Sequence, residues 1–231
     1  MEWSIGYWQI SIQRIYPTNE QLSRMYNAAA PGWNRLVHHL GLSHAYTKLF
    51  QSLQKDNLLD SIKDNATVCD CGIGTAAFSL ALSNTVNCKL QISGVDISPE
   101  MLEKAQQHLS QSGIEPQLYQ SDVNTLPFHD NRFDLMISAH MLEHLPNPVK
   151  GLQEMVRVLR PGAPLILAVT HPGLLGWWIA WHWGNGCFSP DELTAMMIEA
   201  GLTDIRVYSF TAGLARWTST AYVGVKRSRS D

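Results

Sequence analysis

The chain has 231 residues, 45% of them hydrophobic and 16% charged, with 17 Lys and Arg against 20 Asp and Glu for a net charge of −3. That length and apolar content suit a single α/β domain (1–231) with one sizeable core, and they exclude disordered, collagen-like and coiled-coil classes. The charge lacks the basic excess that neutralising nucleic-acid phosphates demands, so the expected partners include no nucleic acid, and Lys226-Arg227-Ser228-Arg229 reads as a solvated tail.

The opening MEWSIGYWQISIQRIY has no basic segment followed by a long apolar run and a small-residue cleavage site, so it does not read as a secretory signal. Residues 1–65 read as a helical N-terminal cap: EQLSRMYNAAA after Asn19, then WNRLVHHLG and HAYTKLFQSLQ, with Pro31, Gly32 and Gly41 as breakers between them. From Ala66 to about 226, short apolar runs alternate with amphipathic segments, the pattern of a mostly parallel sheet covered on both faces. Strands are expected near 66–70, 90–95, 116–121, 133–138 and 164–169, with helices near 75–84, 99–111 and 148–159. Ser98 caps the second of these helices with Pro99 at its first position, and Gly113 closes it.

Leu165 to Gly184 is about the ~20 residues that a membrane span requires, but Thr170, His171 and Pro172 interrupt it. A strand running into an apolar aromatic loop, 171–188, explains it better than a spanning helix, which leaves room only for peripheral membrane contact. Ser189-Pro190-Asp191-Glu192 then opens a helix to about Ala200, and strands near 203–209 and 217–226 form an antiparallel pair at the end. Cys69, Cys71, Cys88 and Cys187 are too few and too irregular for a disulfide framework or a paired CxxC zinc site, which implies a reduced, cytoplasmic setting, and no third ligand joins the histidines near the expected ligand edge, so no metal is expected.

The segment Val68-Cys69-Asp70-Cys71-Gly72-Ile73-Gly74-Thr75-Ala76 is a strand entering a glycine-rich turn before a helix. Gly72 permits a tight turn, Gly74 lets backbone approach a ligand, and the helix N-terminus offers free N–H groups. Asp96 ends the next strand in GVDIS, where a carboxylate can accept from both hydroxyls of a ribose, and Asp122 follows the third strand in SDVNTLPF, with Leu126 nearby to frame a purine. Together the three turns describe an adenosine-sized slot.

Over about residues 19–226 the chain resembles the class I S-adenosylmethionine-dependent methyltransferases. The likeness rests on VCDCGIGTA, GVDISPEML, SDVNTLPF and FDLMISAHMLEHLPNPVKGLQEMVRVLRPGAPLIL, the last resembling the small-molecule branch. The early MYNAAAPGWN is similar to the entry helix of ubiquinone and menaquinone C-methyltransferases; where that family often carries a third glycine in its first motif, this chain has Ala76. The resemblance implies a Rossmann-like seven-stranded, mostly parallel sheet with an antiparallel last strand, and S-adenosylmethionine as cofactor. It implies Asp70, Gly72 and Gly74 at the methionyl end, Asp96 with Ile97 and Met101 around the ribose, Asp122 with Val123 at the adenine, and Tyr26 closing over the cofactor.

In-line methyl transfer asks the protein for alignment and for removal of a proton from the acceptor, a role suited to His. His140 and His171 are the candidates at the ligand edge, while His144 reads as packing. Trp177, Trp178, Trp181 and Trp183 fall within seven residues and suggest a mobile apolar lid, with Trp177, Trp178, Trp181 and His182 as contacts to an apolar or aromatic small-molecule acceptor. Two other readings stay open: a nicotinamide-dependent oxidoreductase, disfavoured because position 77 is Ala where GxGxxG needs Gly, and a non-catalytic S-adenosylmethionine-binding protein. A nucleic-acid base methyltransferase is disfavoured because Ser138-Ala139-His140-Met141 replaces the Asn/Asp-Pro-Pro-aromatic clamp.

Overall fold

A computed structural model describes residues 2–5, 8–11, 17–183 and 186–228, with backbone alone for 2–5, 8–11, 31, 33–38 and 179–183. In chain order the elements are β1 (Glu2–Ile5), β2 (Trp8–Ser11), α1 (Asn19–His39), α2 (Leu42–Lys55), β3 (Ala66–Cys71), α3 (Ala77–Ser83), β4 (Leu90–Asp96), α4 (Pro99–Gln111), β5 (Gln117–Gln120), β6 (Leu135–Ala139), α5 (Pro148–Val158) and β7 (Pro164–Thr170). There follow α6 (Leu174–Trp183), α7 (Pro190–Glu199), β8 (Leu202–Ser209), α8 (Ala215–Thr218) and β9 (Ser219–Lys226). Helix starts follow local chemistry. The Ser98 hydroxyl accepts the Met101 N–H at 3.1 Å ahead of α4, and Ser189 with Glu192 forms a reciprocal capping box ahead of α7.

The main sheet has the order β5-β4-β3-β6-β7-β9-β8. All neighbours are parallel except β9, the last strand, which runs antiparallel between β7 and β8. Its central strands are buried on both faces. Met136 and Leu165 pack with α5 and α7 residues such as Leu152 and Met197, while Leu135, Ile137 and Ile166 pack with Phe50, Leu53 and Phe78 of α2 and α3. The chain order reverses between β3 and β6, which opens a crevice at the carboxyl edge of the sheet, the place where open α/β sheets hold ligands.

Three expectations are corrected. The start of the presumed helical cap is an antiparallel hairpin, with Trp3 paired to Ile10 and Ile5 to Trp8; the period-two alternation of Trp3, Ile5, Trp8 and Ile10 with Ser4 and Gln9 is its signal. Pro31 and Gly32 do not break the chain, because α1 runs through both and stops only before Gly41, whose φ is +68°. A proline inside a helix removes one hydrogen bond at a cost of about 3 kcal/mol. Tertiary contacts of α1 offset it: Asn19, Ser23, Tyr26 and Asn27, spaced i, i+4, i+7 and i+8 on one face, all bond to the sheet's loops or to His144. Finally, the aromatic stretch is a helix, α6, and not a loop. The apolar run from Leu165 is thereby divided between a buried strand and a short helix, and no described helix is long and apolar enough to cross a membrane.

Candidate active site

The loop after β3 is held by its neighbours. Gly72 and Ile73 donate their N–H groups to the Val95 carbonyl at 2.8 and 3.0 Å, and Gly74 donates to Asp96 Oδ2 at 3.0 Å. Gly72 (φ +72°) has no room for a side chain, since a Cβ there would come within 2.5 Å of Met141 Cγ. Gly74 (φ +52°) is different: a Cβ there would meet nothing within 4 Å and would project into open space. Ala76, at the place of the third glycine, is fully buried and takes the same left-handed conformation at φ +67°. Asp96 also accepts from the Ser98 N–H at 2.9 Å; burial raises its pKa, with the N–H groups of Ser98 and Gly74 acting in the opposite direction.

Asp70 lies beneath this loop, 1% exposed. Its Oδ2 accepts the Ser79 hydroxyl at 2.6 Å, and its Oδ1 is buried without a hydrogen-bond partner. Burial pushes its pKa up to about 7, the Ser79 hydroxyl works against that, and the nearby Asp96 adds to it. A buried acceptor left unsatisfied suits a ligand that brings a cation or an N–H group. At the next strand end, Asp122 Oδ2 accepts from Asn19 Nδ2 at 2.7 Å and Oδ1 from the Asn124 N–H at 2.8 Å, so α1 is pinned across the slot at its first residue. The Ser23 hydroxyl donates to the Ile97 carbonyl at 3.1 Å, and Ser98 to Asn27 Oδ1 at 2.6 Å. Tyr26 hydroxyl and His144 Nε2 are 2.7 Å apart, which makes His144 the seat of Tyr26 as well as a packing residue. Burial holds the Tyr26 phenol far above its ordinary pKa, with Asp96 and Glu143 adding to the shift, so it stays protonated.

On the other side of the crevice His140 ends β6 in a left-handed conformation at φ +55°. A non-glycine residue there marks strain that the surrounding structure maintains. Its Nδ1 lies 3.2 Å from Glu143 Oε1 and 3.3 Å from Thr170 Oγ1, and its Nε2 is buried without a hydrogen-bond partner. Glu143 is 1% exposed and also accepts the Thr170 N–H at 2.6 Å. Burial pushes the Glu143 pKa up, but the bonds from His140 and Thr170 outweigh it and the net shift is downward, so Glu143 is a buried carboxylate. An ionised Glu143 can only accept, so Nδ1 carries a proton and Nε2 is the ring atom left to exchange one with a ligand.

A cavity of about 390 Å³ joins the two sides. Of the residues expected from sequence, Tyr26, Gly72, Gly74, Asp96, Ile97, Met101, Asp122, Val123, His140 and Trp178 line it. Asp70 does not line it, nor does Trp177, which is 58% exposed on the outer side of α6; Leu126 is part of the core. The side chains of Trp181 and His182 lie outside the described residues. His171 is not brought into the cavity. Its Nε2 is 3.2 Å from the Trp217 carbonyl, to which it must donate, and its Nδ1 is 3.0 Å from Thr220 Oγ1, so both nitrogens are engaged. Sequence reasoning missed Glu143, Tyr46 of α2, Phe78 of α3, and the hydroxyl residues Thr170, Thr218 and Ser219. For Glu143 a signal existed, a carboxylate three residues after a strand-end histidine; the others arrive through topology alone.

Comparison with known proteins decides the family. A methyltransferase-domain profile matches residues 69–167. A demethylmenaquinone methyltransferase of Desulfitobacterium hafniense is 40% identical over 181 residues, covering 66% of this chain and 72% of that one. The chain belongs to the class I S-adenosylmethionine-dependent methyltransferases. Another relative, a demethylmenaquinone methyltransferase of Staphylococcus epidermidis, is 31% identical over 197 residues, covering 74% of this chain and 80% of its own. Among solved structures, magnesium protoporphyrin IX methyltransferase from Synechocystis with bound S-adenosylhomocysteine superposes with a TM-score of 0.71 at 17% identity, over 90% of this chain and 99% of that one. The [4+2]-cyclase SpnF superposes with a TM-score of 0.66 at 18% identity, over 92% and 98%. These two show the fold alone, and the second is a reminder that a fold does not specify a reaction. As a methyltransferase of this family the chain is an enzyme whose cofactor is S-adenosylmethionine, and neither the oxidoreductase nor the non-catalytic reading is favoured.

Proposed function

We propose that this methyltransferase methylates an aromatic ring of the quinone type in its reduced, hydroxyl-bearing form, with His140 as the base. The observation that carries the reading is the bare, buried Nε2 of His140, held by Glu143 and Thr170 on the wall of the cavity. Around it, Tyr46, Phe78, Leu214 and Trp178 supply an apolar and aromatic surface, while Thr218 and Ser219 supply hydroxyls for an oxygen substituent. The relatives named for demethylmenaquinone methylation agree with such an acceptor.

S-adenosylmethionine supplies an electrophilic methyl group on a sulfonium. Gly74 would leave room for its methionyl end above Asp70, with Gly72 shaping the turn, Asp96 with Ile97 and Met101 would take the ribose, Asp122 and Val123 the adenine, and Tyr26 would close over them from α1. His140 Nε2 takes the proton of the acceptor hydroxyl, which enriches the ring carbon that bonds the methyl carbon as the carbon–sulfur bond breaks and its electron pair stays on sulfur. The ring then gives its own hydrogen to water as a proton and regains aromaticity, and the resulting phenolate oxygen takes back the proton that His140 holds. Glu143 is a positioning residue that keeps Nδ1 protonated and balances the imidazolium. Helix α6 is the mobile lid over the acceptor side, with Trp178 as its inner contact. The enzyme works in the cytoplasm. The test is a turnover assay with S-adenosylmethionine and a panel of reduced naphthoquinones, benzoquinones and simple phenols. Methyl transfer to a ring carbon of a reduced quinone is the expected product, and transfer confined to amines or carboxylates overturns the reading.

A further inference from the structure

Helix α6 exposes what a folded chain ordinarily hides. Leu174 is 87% exposed, Leu175 47% and Trp177 58%, and α8, which packs against α6, adds Trp217 at 60%. From Pro161 to Pro190 the sequence carries no Asp, Glu, Lys or Arg, so nothing within α6 or its flanks offers charge to water or to a charged partner. The one charged residue of α8 is Arg216, whose guanidinium lies 4.6 Å from the centre of the Trp217 ring. Leucines and tryptophans edged by a cation, with no acid in the two helices, complement an apolar layer beneath anionic headgroups. Ten helical residues span about 15 Å, half of a bilayer's hydrocarbon core, so α6 can lie in an interface and cannot cross it.

The patch is also continuous with the cavity. Trp178 lines the cavity while staying 59% exposed on the same helix, and Leu214, just before α8, and Thr218 at its end, which flank Arg216 and Trp217, line it as well. A surface resting on α6 and α8 therefore borders the entrance to the acceptor side. We infer that α6 and α8 together form a docking surface for a lipid bilayer, entered by Leu174, Leu175, Trp177 and Trp217 to the depth of the headgroup boundary, with Arg216 meeting anionic headgroups. The inference stands apart from the choice of acceptor and from His140, since it rests on exposure, composition and charge.

The test uses the full chain and vesicles of phosphatidylcholine, alone or with phosphatidylglycerol. Co-sedimentation with both is expected, tighter on the anionic vesicles, with tryptophan fluorescence quenched by lipids brominated near the headgroup end of the acyl chain. Leu174→Ser with Leu175→Ser should weaken vesicle binding by more than about tenfold, while S-adenosylmethionine affinity by calorimetry and the circular dichroism spectrum stay as in the parent chain. Arg216→Gln should reduce the anionic preference by about fivefold and leave binding to neutral vesicles alone. No binding of the parent chain to either vesicle, equal binding by a folded double leucine variant, or a stable dimer in sedimentation velocity that this variant dissolves would each overturn the inference.

Discussion

The two sides of the cavity are built differently. The side at the ends of β3, β4 and β5 is made largely by turns: Gly74 donates its N–H to Asp96, Gly72 donates to the Val95 carbonyl, and apart from Asn19 and Tyr26 of α1 its key residues sit within a few positions of a strand end. The side at the ends of β6 and β7 and the start of β9 is made by side chains from distant segments, with Glu143 bound to Thr170 27 positions away and Tyr46, Phe78 and Ser219 arriving from three other elements. A site made of turns can be carried from one family member to another with its cofactor unchanged. A site made of converging side chains can be altered one residue at a time, and the proposed reading puts acceptor choice there.

If that contrast is right, each side should fail in its own way. The largest effect is expected from Gly74→Val, which forces a β-branched residue into φ +52° and fills the open space over the loop. S-adenosylmethionine affinity by calorimetry should fall more than about a hundredfold in a chain that still melts cooperatively. Glu143→Gln should spare that affinity while lowering kcat toward the lower end of the about 10²–10⁴-fold associated with general base catalysis, and His171→Ala should leave kcat near the parent value, since His171 is outside the cavity. Equal losses in the two variants would erase the distinction between them.

A smaller effect concerns pH. Asp70 has its pKa raised to about 7, so it is protonated below that pH and ionised above it. On the proposed placement of the methionyl end above Asp70, an ionised Asp70 favours the ammonium group, so affinity should rise between pH 6 and 8 by up to about tenfold per unit on the acidic side and flatten above the pKa. Asp70→Asn should remove most of that rise; calorimetry at several pH values reads it directly. Stability carries the opposite sign. The folded state with a raised carboxyl pKa holds its proton longer than the unfolded state, so this contribution is greatest below the unfolded value near 4 and is lost as pH climbs to about 7.

The same contrast explains what could be read from the sequence. Gly72, Gly74 and Asp96 announce themselves because each task admits one or two residue types at a fixed distance from a strand, and the strand positions, though not their order in the sheet, followed from short apolar runs between amphipathic segments. His140 was visible as a strand-end histidine, but its partner was marked only by a spacing of three residues, which a carboxylate on a surface helix shares with one buried against a strand-end N–H. His171 shared the same strand-end logic and lost to a local competitor, the Trp217 carbonyl, brought near by the antiparallel β9. The aromatic segment was legible as unusual and illegible as a helix, since a run apolar on every side has no period to read. Pro31 misled for the opposite reason: local propensity was clear, and the bonds that α1 makes to Asp122, Ile97, Ser98 and His144 overrode it.

Binding and chemistry should separate cleanly across the cavity, and one paired measurement decides it: S-adenosylmethionine affinity by calorimetry and kcat with a reduced quinone acceptor, each taken on Asp96→Ala and His140→Ala. The Asp96 variant should lose affinity by about 5- to 150-fold, the loss expected when hydroxyls lose a buried partner worth about 1–3 kcal/mol, and should recover turnover at saturating cofactor. The His140 variant should bind the cofactor as the parent does and turn over about 10²–10⁴-fold more slowly at any cofactor concentration. A His140 variant that turns over normally, or an Asp96 variant that binds normally, contradicts the division of labour between the two sides.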